Sequence, residues 1–404
     1  MNVFIKKIFS LYHFCWALGS AILFWFPSRK LRVIGVTGTK GKSTTVVLLA
    51  HIFNEAGHKS AHLSTVSISD GNKTYKNTTG NSMPGRLYIQ RLMRRAVHNG
   101  CTYLFLEVTS QGVVQHRHTC ISWAGAMFLD IHPEHIESHG SFANYLDAKL
   151  SFFTYARKHS PACVFYIHRN DEHAKDFIQI AKNRKQILFG VEDVNEVFKN
   201  LSLPGEFNKI NIAGTYAVAR EEGIAHETIN KAIQSFGGIS GRMEFVQKNP
   251  YAIVVDYAHT PDSLREVYTY LRAQVDKKGG RLLCVLGSAG GGRDAWKRPE
   301  MGKIAGDMCD EIVLTNEDPF DEDPAEIIRA IHEGVRASAR YDELHVHIVL
   351  DRKEGIQKAI SLAHAEDIVV CTGKGSENSI RVAHGKKIPW NEGEEIKKCL
   401  EVSN

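Results

Sequence analysis

The sequence predicts an α/β protein with a P-loop doubly wound central domain, a C-terminal Rossmann-like α/β domain and a short apolar N-terminal helix. Three observations carry this. Val33 to Thr45 passes from an apolar run through glycines into Lys-Ser-Thr and a second apolar run. Short apolar runs at Tyr103–Val108, Ala124–Leu129 and Ala162–Ile167 alternate with stretches of helical spacing, the signature of buried parallel strands. The alternation restarts after Gly237-Gly238-Ile239-Ser240-Gly241, the best linker candidate. The expected organisation is 1–30 apolar helix, 31–237 central domain and 241–404 C-terminal domain.

In chain order, Thr44 to Glu55 reads as a helix stopped by Gly57, and His62 to Ser69 as a strand. Residues 70–85 read as loop, being rich in Gly, Asn, Thr and Pro. Helices follow over Arg86–His98 and Tyr145–His159, and a helical region over 207–236. Beyond the linker, strands are expected at Ala252–Val255, Leu282–Leu286, Glu311–Leu314 and Asp367–Cys371, with helices from Asp262, Pro299 and Pro324 between them.

A length of 404 residues suits two domains and an extension. A net charge of +5, with no long basic run and no aromatic platform, does not mark a nucleic-acid partner. The eight cysteines are scattered without a Cys-x-x-Cys pair, which argues for a reducing cytoplasm and against a zinc or disulfide framework. Ile8 to Ser28 carries no Asp, Glu, Lys or Arg and is flanked by Lys6-Lys7 and Arg29-Lys30. Three readings stand for it: a helix docked on the body, an interfacial membrane helix, or a span.

Ligands of open α/β sheets bind beyond the carboxyl ends of the strands, so those ends locate the candidate chemistry. In the first loop, glycines allow the backbone to approach a polyphosphate, Lys42 can reach the terminal phosphates and the Ser43 hydroxyl can ligate Mg²⁺. Glu107 ends an apolar run, where a carboxylate could ligate a metal. The acidic and histidine-rich stretch 130–140 could hold a second metal through His135, or be a solvated loop. The later strand ends carry Asp256-Tyr-Ala-His259, Gly287 to Asp294, Asn316 to Pro319 and Gly373 to Glu377.

These motifs together closely resemble the Mur ligase superfamily, and within it the UDP-N-acetylmuramyl-tripeptide synthetases. Thr37-Gly-Thr-Lys-Gly-Lys-Ser-Thr44 is similar to that family's ATP loop, which lacks the first glycine of the general P-loop. Glu107-Val-Thr-Ser-Gln111, His135 with Gly140 and Ala148-Lys149, Asn208 with Asn211, Gly241-Arg242-Met-Glu244, Asp256 to Asp262, Arg293 to Gly302, and Gly373 to Glu377 extend the match over nearly the whole chain from Val33.

The resemblance implies an ATP-dependent ligase. It would join an amino acid to a UDP-MurNAc-dipeptide-like carboxylate through an acyl phosphate, in peptidoglycan precursor synthesis. It implies ATP contacts at Gly38, Thr39, Lys40, Gly41, Lys42, Ser43, Thr44, Asn211, Arg242 and Asp256. It implies catalytic roles for Lys42, Glu107, His135, Lys149 and Arg242. Two Mg²⁺ ions would be held, one by Ser43 and Glu107, the other by His135 and a carbamate on Lys149. Thr78, Thr79, Ser110 and Arg117 would bind the muramyl donor. Arg293, Glu317, Asp318, Gly373 and Glu377 would line the amino-acid pocket.

Two departures shape the expectation. The family's UDP-gripping first domain has no counterpart in residues 1–30, so the donor is expected to be held by fewer contacts, with residues 8–26 making peripheral contact with a membrane or a lipid-linked donor. Diaminopimelate-adding members carry Asp-Asn-Pro-Arg, whose Arg binds the distal carboxylate, where this chain has Glu317-Asp318-Pro319-Phe320. With Phe320 there and acidic neighbours, the pocket is expected to favour a side-chain amine, as in lysine. The rival readings are a folylpolyglutamate- or cyanophycin-type ligase, and a non-catalytic Mur-like scaffold.

Overall fold

The computed structural model describes residues 3–134, 136–194, 205, 207–292 and 295–403. The residues through Val194 and from Phe207 to Gly237 form one compact unit, and those from Gly238 on belong to a second.

The first unit is built on an eight-stranded sheet in the order β4-β3-β2-β5-β1-β6-β7-β8. Its strands are β1 (Arg32–Thr37), β2 (Ser60–Leu63), β3 (Ser67–Ser69), β4 (Thr74–Lys76), β5 (Tyr103–Glu107), β6 (Trp123–Phe128), β7 (Val164–His168) and β8 (Gln186–Phe189). β2, β5, β1, β6, β7 and β8 are parallel. β5 and β7 are buried at every position, because helices cover both faces. The helices are α1 (Val3–Leu23), α2 (Lys42–Glu55), α3 (Arg86–His98), α4 (Ser110–Val114), α5 (Ile136–His139), α6 (Phe142–His159), α7 (Ala174–Ile180), α8 (Phe207–Glu221) and α9 (His226–Ser235). α2 buries Val46, Leu48, Leu49, Ile52 and Phe53 completely, each such side chain contributing about 1.5–3 kcal/mol.

The strand expected at 62–69 is instead a hairpin of β2 and β3. The Ser64 hydroxyl accepts from the Val66 and Ser67 amides and turns the chain there. The segment read as loop over 70–85 contains β4, which extends this hairpin at the sheet edge.

α1 lies on the first unit rather than apart from it. Ala17, Ser20 and Ala21 are buried, and the Ser10 hydroxyl meets His116 Nε2 at 2.8 Å. No helix among the described residues is long and apolar enough to cross a membrane, so the spanning reading of residues 8–28 is not supported.

The second unit holds a six-stranded sheet, β13-β12-β11-β14-β10-β9. Its strands are β9 (Glu244–Gln247), β10 (Ala252–Val255), β11 (Leu282–Leu286), β12 (Glu311–Leu314), β13 (Val346–Ile348) and β14 (Ile368–Cys371). All are parallel except β9. Helices α10 (Pro261–Lys278), α11 (Lys297–Met308), α12 (Pro324–Arg336), α13 (Arg352–Leu362) and α14 (Glu392–Ser403) complete it, with the hairpin β15 (Ser379–Arg381) and β16 (Lys387–Pro389). α10 starts at Thr260, whose side chain forms a reciprocal capping box with Ser263, and ends at Gly279 in the left-handed region.

Candidate active site

In the first unit the loop between β1 and α2 is the structural centre. Gly41 has φ 76°, and a Cβ there would collide with the Asn211 side chain beneath it. Only glycine fits both constraints. Asn211 is buried; its Oδ1 accepts from Thr45 and its Nδ2 donates to Asn208, so it supports the loop from α8. Asp130, just past β6, grips the other side. Its Oδ1 accepts from the Thr39 amide at 2.6 Å and the Lys40 amide at 3.0 Å. The loop is therefore fastened from both neighbours, with the α2 N-terminus, Lys42, Ser43 and Thr44 at its end.

Two lysines converge on one carbonyl of this loop. Lys42 Nζ donates to the Gly38 and Thr39 oxygens at 2.8 and 2.7 Å, and Lys149 Nζ, from α6, donates to the Gly38 oxygen at 2.6 Å. Lys149 is fully buried and its ammonium lies over the Tyr145 ring. Burial, and then the Lys42 charge, lower its pKa to about 7. Near neutral pH it is thus an amine as much as an ammonium. Tyr145 OH in turn reaches Thr39 Oγ1 at 3.1 Å, tying α6 to the loop.

β5 neighbours β1, with Glu107 opposite Val36, so Glu107 leaves the sheet beside the loop. It is completely buried. Its two oxygens accept from the Thr65 amide at 2.6 Å and the Thr65 hydroxyl at 3.0 Å. Thr65 Oγ1 also lies 2.6 Å from the Ser82 hydroxyl, from which it can accept, and this ties the segment carrying Thr78 and Thr79 to this carboxylate. Thr79 bonds Asn77 Oδ1, while Thr78 is exposed. Ser110, first residue of α4, meets His139 Nε2 at 3.1 Å. Arg117 donates to the Met83 carbonyl and to Gln115 Oε1; burial and nearby Arg86 lower its pKa. His135 lies outside the described residues. Among the described residues no group of three or more His, Cys, Asp or Glu side chains is gathered to hold a metal. Ser43 and Glu107 are hard oxygen donors on neighbouring elements, and that donor set fits a Mg²⁺ whose other ligands are phosphate and water.

The second unit presents its own strand ends. Asp256 follows β10 and is buried; its oxygens accept from the Met243 and Ala258 amides, each at 2.7 Å, while burial raises its pKa. Arg242 stacks over the Tyr257 ring at 4.1 Å. Gly241, φ 69°, abuts Gly375 so closely that a Cβ would strike its backbone. Glu317 is buried beside Gly373, with Oε2 making no hydrogen bond, and burial raises its pKa.

Asp318 and Glu377 both bind Lys374 Nζ, at 2.7 and 2.5 Å. Lys374 therefore offsets part of the acidic character expected of this pocket, and Glu317 is not among its partners. Arg293 lies outside the described residues.

A glycine loop opening a helix at the end of a parallel strand, with two lysines and a buried carboxylate around it, defines a P-loop enzyme acting on a nucleoside polyphosphate. Comparison with known proteins narrows the class. Residues 36–213 match the Mur ligase middle domain and residues 241–375 the Mur ligase glutamate ligase domain. The chain is 34% identical over 395 residues to a UDP-N-acetylmuramoyl-L-alanyl-D-glutamate--2,6-diaminopimelate ligase of Cytophaga hutchinsonii, covering 93% of this chain and 79% of that one. It is 31% identical over 420 residues to a UDP-N-acetylmuramyl-tripeptide synthetase of Treponema denticola, covering 94% and 78%.

A solved structure of a UDP-N-acetylmuramoyl-L-alanyl-D-glutamate--2,6-diaminopimelate ligase superposes with a TM-score of 0.61 at 26% identity, over 92% of this chain and 79% of that one. A Mycobacterium tuberculosis folylpolyglutamate synthase with ADP superposes at 0.67, over 88% and 91%, but at 16% identity shares the fold alone. The chain belongs to the Mur ligase family and is an ATP-dependent, amide-forming ligase.

Asp130, Thr65 and Lys374 have roles that sequence reasoning did not assign. Asp130 and Lys374 each lie just past an apolar strand, and a carboxylate just past the strand beside a P-loop is the signal that marks Asp130.

Proposed function

We propose that this ligase adds a diamino acid to the free carboxylate of a UDP-MurNAc-dipeptide-like donor, in peptidoglycan precursor synthesis. The observation that carries the reading is the meeting of Lys42 and Lys149 on the Gly38 carbonyl of a nucleotide loop. The donor carboxylate attacks the γ-phosphorus of ATP, ADP leaves, and an acyl phosphate forms. The amino group of the incoming amino acid attacks the acyl carbon, loses a proton, and expels phosphate. Lys42 and the α2 N-terminal amides stabilise charge on the transferring group. Ser43 and Glu107 would hold a Mg²⁺, which neutralises phosphate charge when bound.

In the same proposal Lys149 carries a carbamate and, with His135, takes a second Mg²⁺. A buried amine with a pKa near 7 is nucleophilic toward CO₂, and the carbamate N–H can still donate to Gly38. Thr78, Thr79, Ser110 and Arg117 are assigned to the donor, Arg242, Asp256 and Asn211 to ATP, and Arg293, Glu317, Gly373 and Glu377 to the amino acid. Phosphate release from ATP with UDP-MurNAc-L-Ala-D-Glu and a panel of amino acids tests this. Release that depends on both co-substrates is expected; release that needs neither, or none at all, overturns it.

The proposal includes peripheral membrane contact through α1 at the cytoplasmic face. Ile8, Phe9, Leu11, Tyr12, Trp16 and Ile22 are exposed on a helix whose other side is docked. No Asp or Glu occurs before Glu55, and Arg29 and Lys30 follow the helix, which suits an anionic lipid surface.

A further inference from the structure

We propose that Arg381 selects the acceptor, by clamping the second carboxylate of a diamino dicarboxylic acid such as diaminopimelate. This rests on the ligase reading above and names its amino-acid class.

Phe320 occupies the position where the resemblance places a carboxylate-binding arginine in diaminopimelate-adding relatives. Its φ is 55°, a left-handed conformation that costs an aromatic residue of order 1–3 kcal/mol and persists only where its surroundings enforce it. The surroundings here are β15. The Phe320 amide donates to the Arg381 carbonyl at 3.1 Å, and Phe320 bridges to Val382. The Arg381 amide donates to Asp318 Oδ1 at 2.8 Å. The backbone of Arg381 is thus fixed on both sides of residue 320.

Its side chain then lies over the residue that replaces the arginine. The guanidinium carbon is 5.6 Å from the Phe320 ring centre. A guanidinium held over a ring face keeps N–H groups available for a further partner.

The one carboxylate near that guanidinium, Asp318, pairs with it only loosely. Asp318 Oδ1 already receives Lys374 and the Arg381 amide, and Arg381 Nε is 4.0 Å from Asp318 Oδ2, beyond hydrogen-bond reach. Glu377 is held by Lys374. Among the described residues the Arg381 guanidinium makes no hydrogen bond, and its side chain is 31% exposed. A cation with open donor edges, beside carboxylates that Lys374 already engages, matches a carboxylate and repels an ammonium. An arginine from β15 therefore takes over the function of the one missing at 320.

The test uses the full chain, ATP and UDP-MurNAc-L-Ala-D-Glu, with meso-diaminopimelate or lysine as acceptor. The wild type should prefer diaminopimelate. Arg381→Ala should raise KM for diaminopimelate about 10- to 100-fold, the range of a lost charged hydrogen-bond pair, with kcat, the donor KM and the lysine KM nearly unchanged. Arg381→Lys should restore only part, since it keeps the charge and loses the fork. Adding Phe320→Arg to Arg381→Ala should recover diaminopimelate use. A wild type that prefers lysine, or an Arg381→Ala loss equal for both acceptors, overturns the inference and leaves the ligase standing. No phosphate release with any acceptor, although ATP still binds, removes the ligase reading and this inference with it.

Discussion

The two units solve the problem of holding charged ligands differently. Around the P-loop, the functional lysines rest on backbone carbonyls and the loop is fastened by side chains from adjoining elements: Asp130, Asn211 and Tyr145. At the strand ends of the second unit, side chains compensate one another. Lys374 takes both Asp318 and Glu377, and Arg381 leans on Phe320. Backbone-held cations are generic toward phosphate, whereas side-chain pairs far apart in sequence can be varied one partner at a time. In the first unit the cations rest on backbone that any sequence supplies; in the second they rest on side chains that substitution can change.

The largest effect expected is on the loop. Lys42→Ala should lower kcat for phosphate release by roughly 10²–10³-fold, as loss of a transition-state donor does, with the fold unchanged by circular dichroism. A smaller effect would move the weight away from backbone-held cations. Next, Glu107→Gln should raise the Mg²⁺ concentration needed for half-maximal rate by about tenfold or more, since one anionic ligand becomes neutral while the Thr65 contacts can persist. An unchanged Mg²⁺ titration would remove Glu107 from the metal.

Lys149→Met separates function from stability. The folded pKa of Lys149 is about 7, well below that of an exposed lysine. Between pH 7 and about 10.4 the unfolded chain binds more protons there than the folded one, so this residue's contribution to stability rises with pH across that window and is most unfavourable below it. In carbonate-free buffer Lys149→Met should therefore raise Tm at pH 7 and abolish ligation, and its stability advantage should shrink toward pH 10. A Tm that falls at pH 7 would contradict a buried, destabilising amine.

Asp130→Ala leaves the Thr39 and Lys40 amides without their acceptor and should weaken ATP binding by about 1–3 kcal/mol, read by calorimetry. The smallest effect is outside both sites. Trp16→Glu, on the exposed side of α1, should reduce sedimentation with phosphatidylglycerol vesicles while leaving phosphate release in solution unchanged. Equal sedimentation of variant and wild type would remove the lipid surface from the account.

Much of the first unit was legible because its cause is local. Gly41, Lys42 and Ser43 sit in one short segment, and glycine and helix-terminus chemistry act over a few residues. The hairpin at 60–69 was not, because His62 to Ser69 reads as one strand while the Ser64 side chain turns it. In the second unit, Glu317, Asp318 and Glu377 read as an acidic cluster. The sequence could not show that Lys374 is aimed between two of them, nor that β15 returns Arg381 to Phe320. Those are tertiary pairings without a local signal.

The most direct measurement is mass analysis of the product formed from ATP, UDP-MurNAc-L-Ala-D-Glu and an equimolar mixture of meso-diaminopimelate and lysine. The account predicts ADP, phosphate and a donor heavier by one diaminopimelate residue. Recovery of the unmodified donor, or a product carrying lysine or neither amino acid, would contradict it.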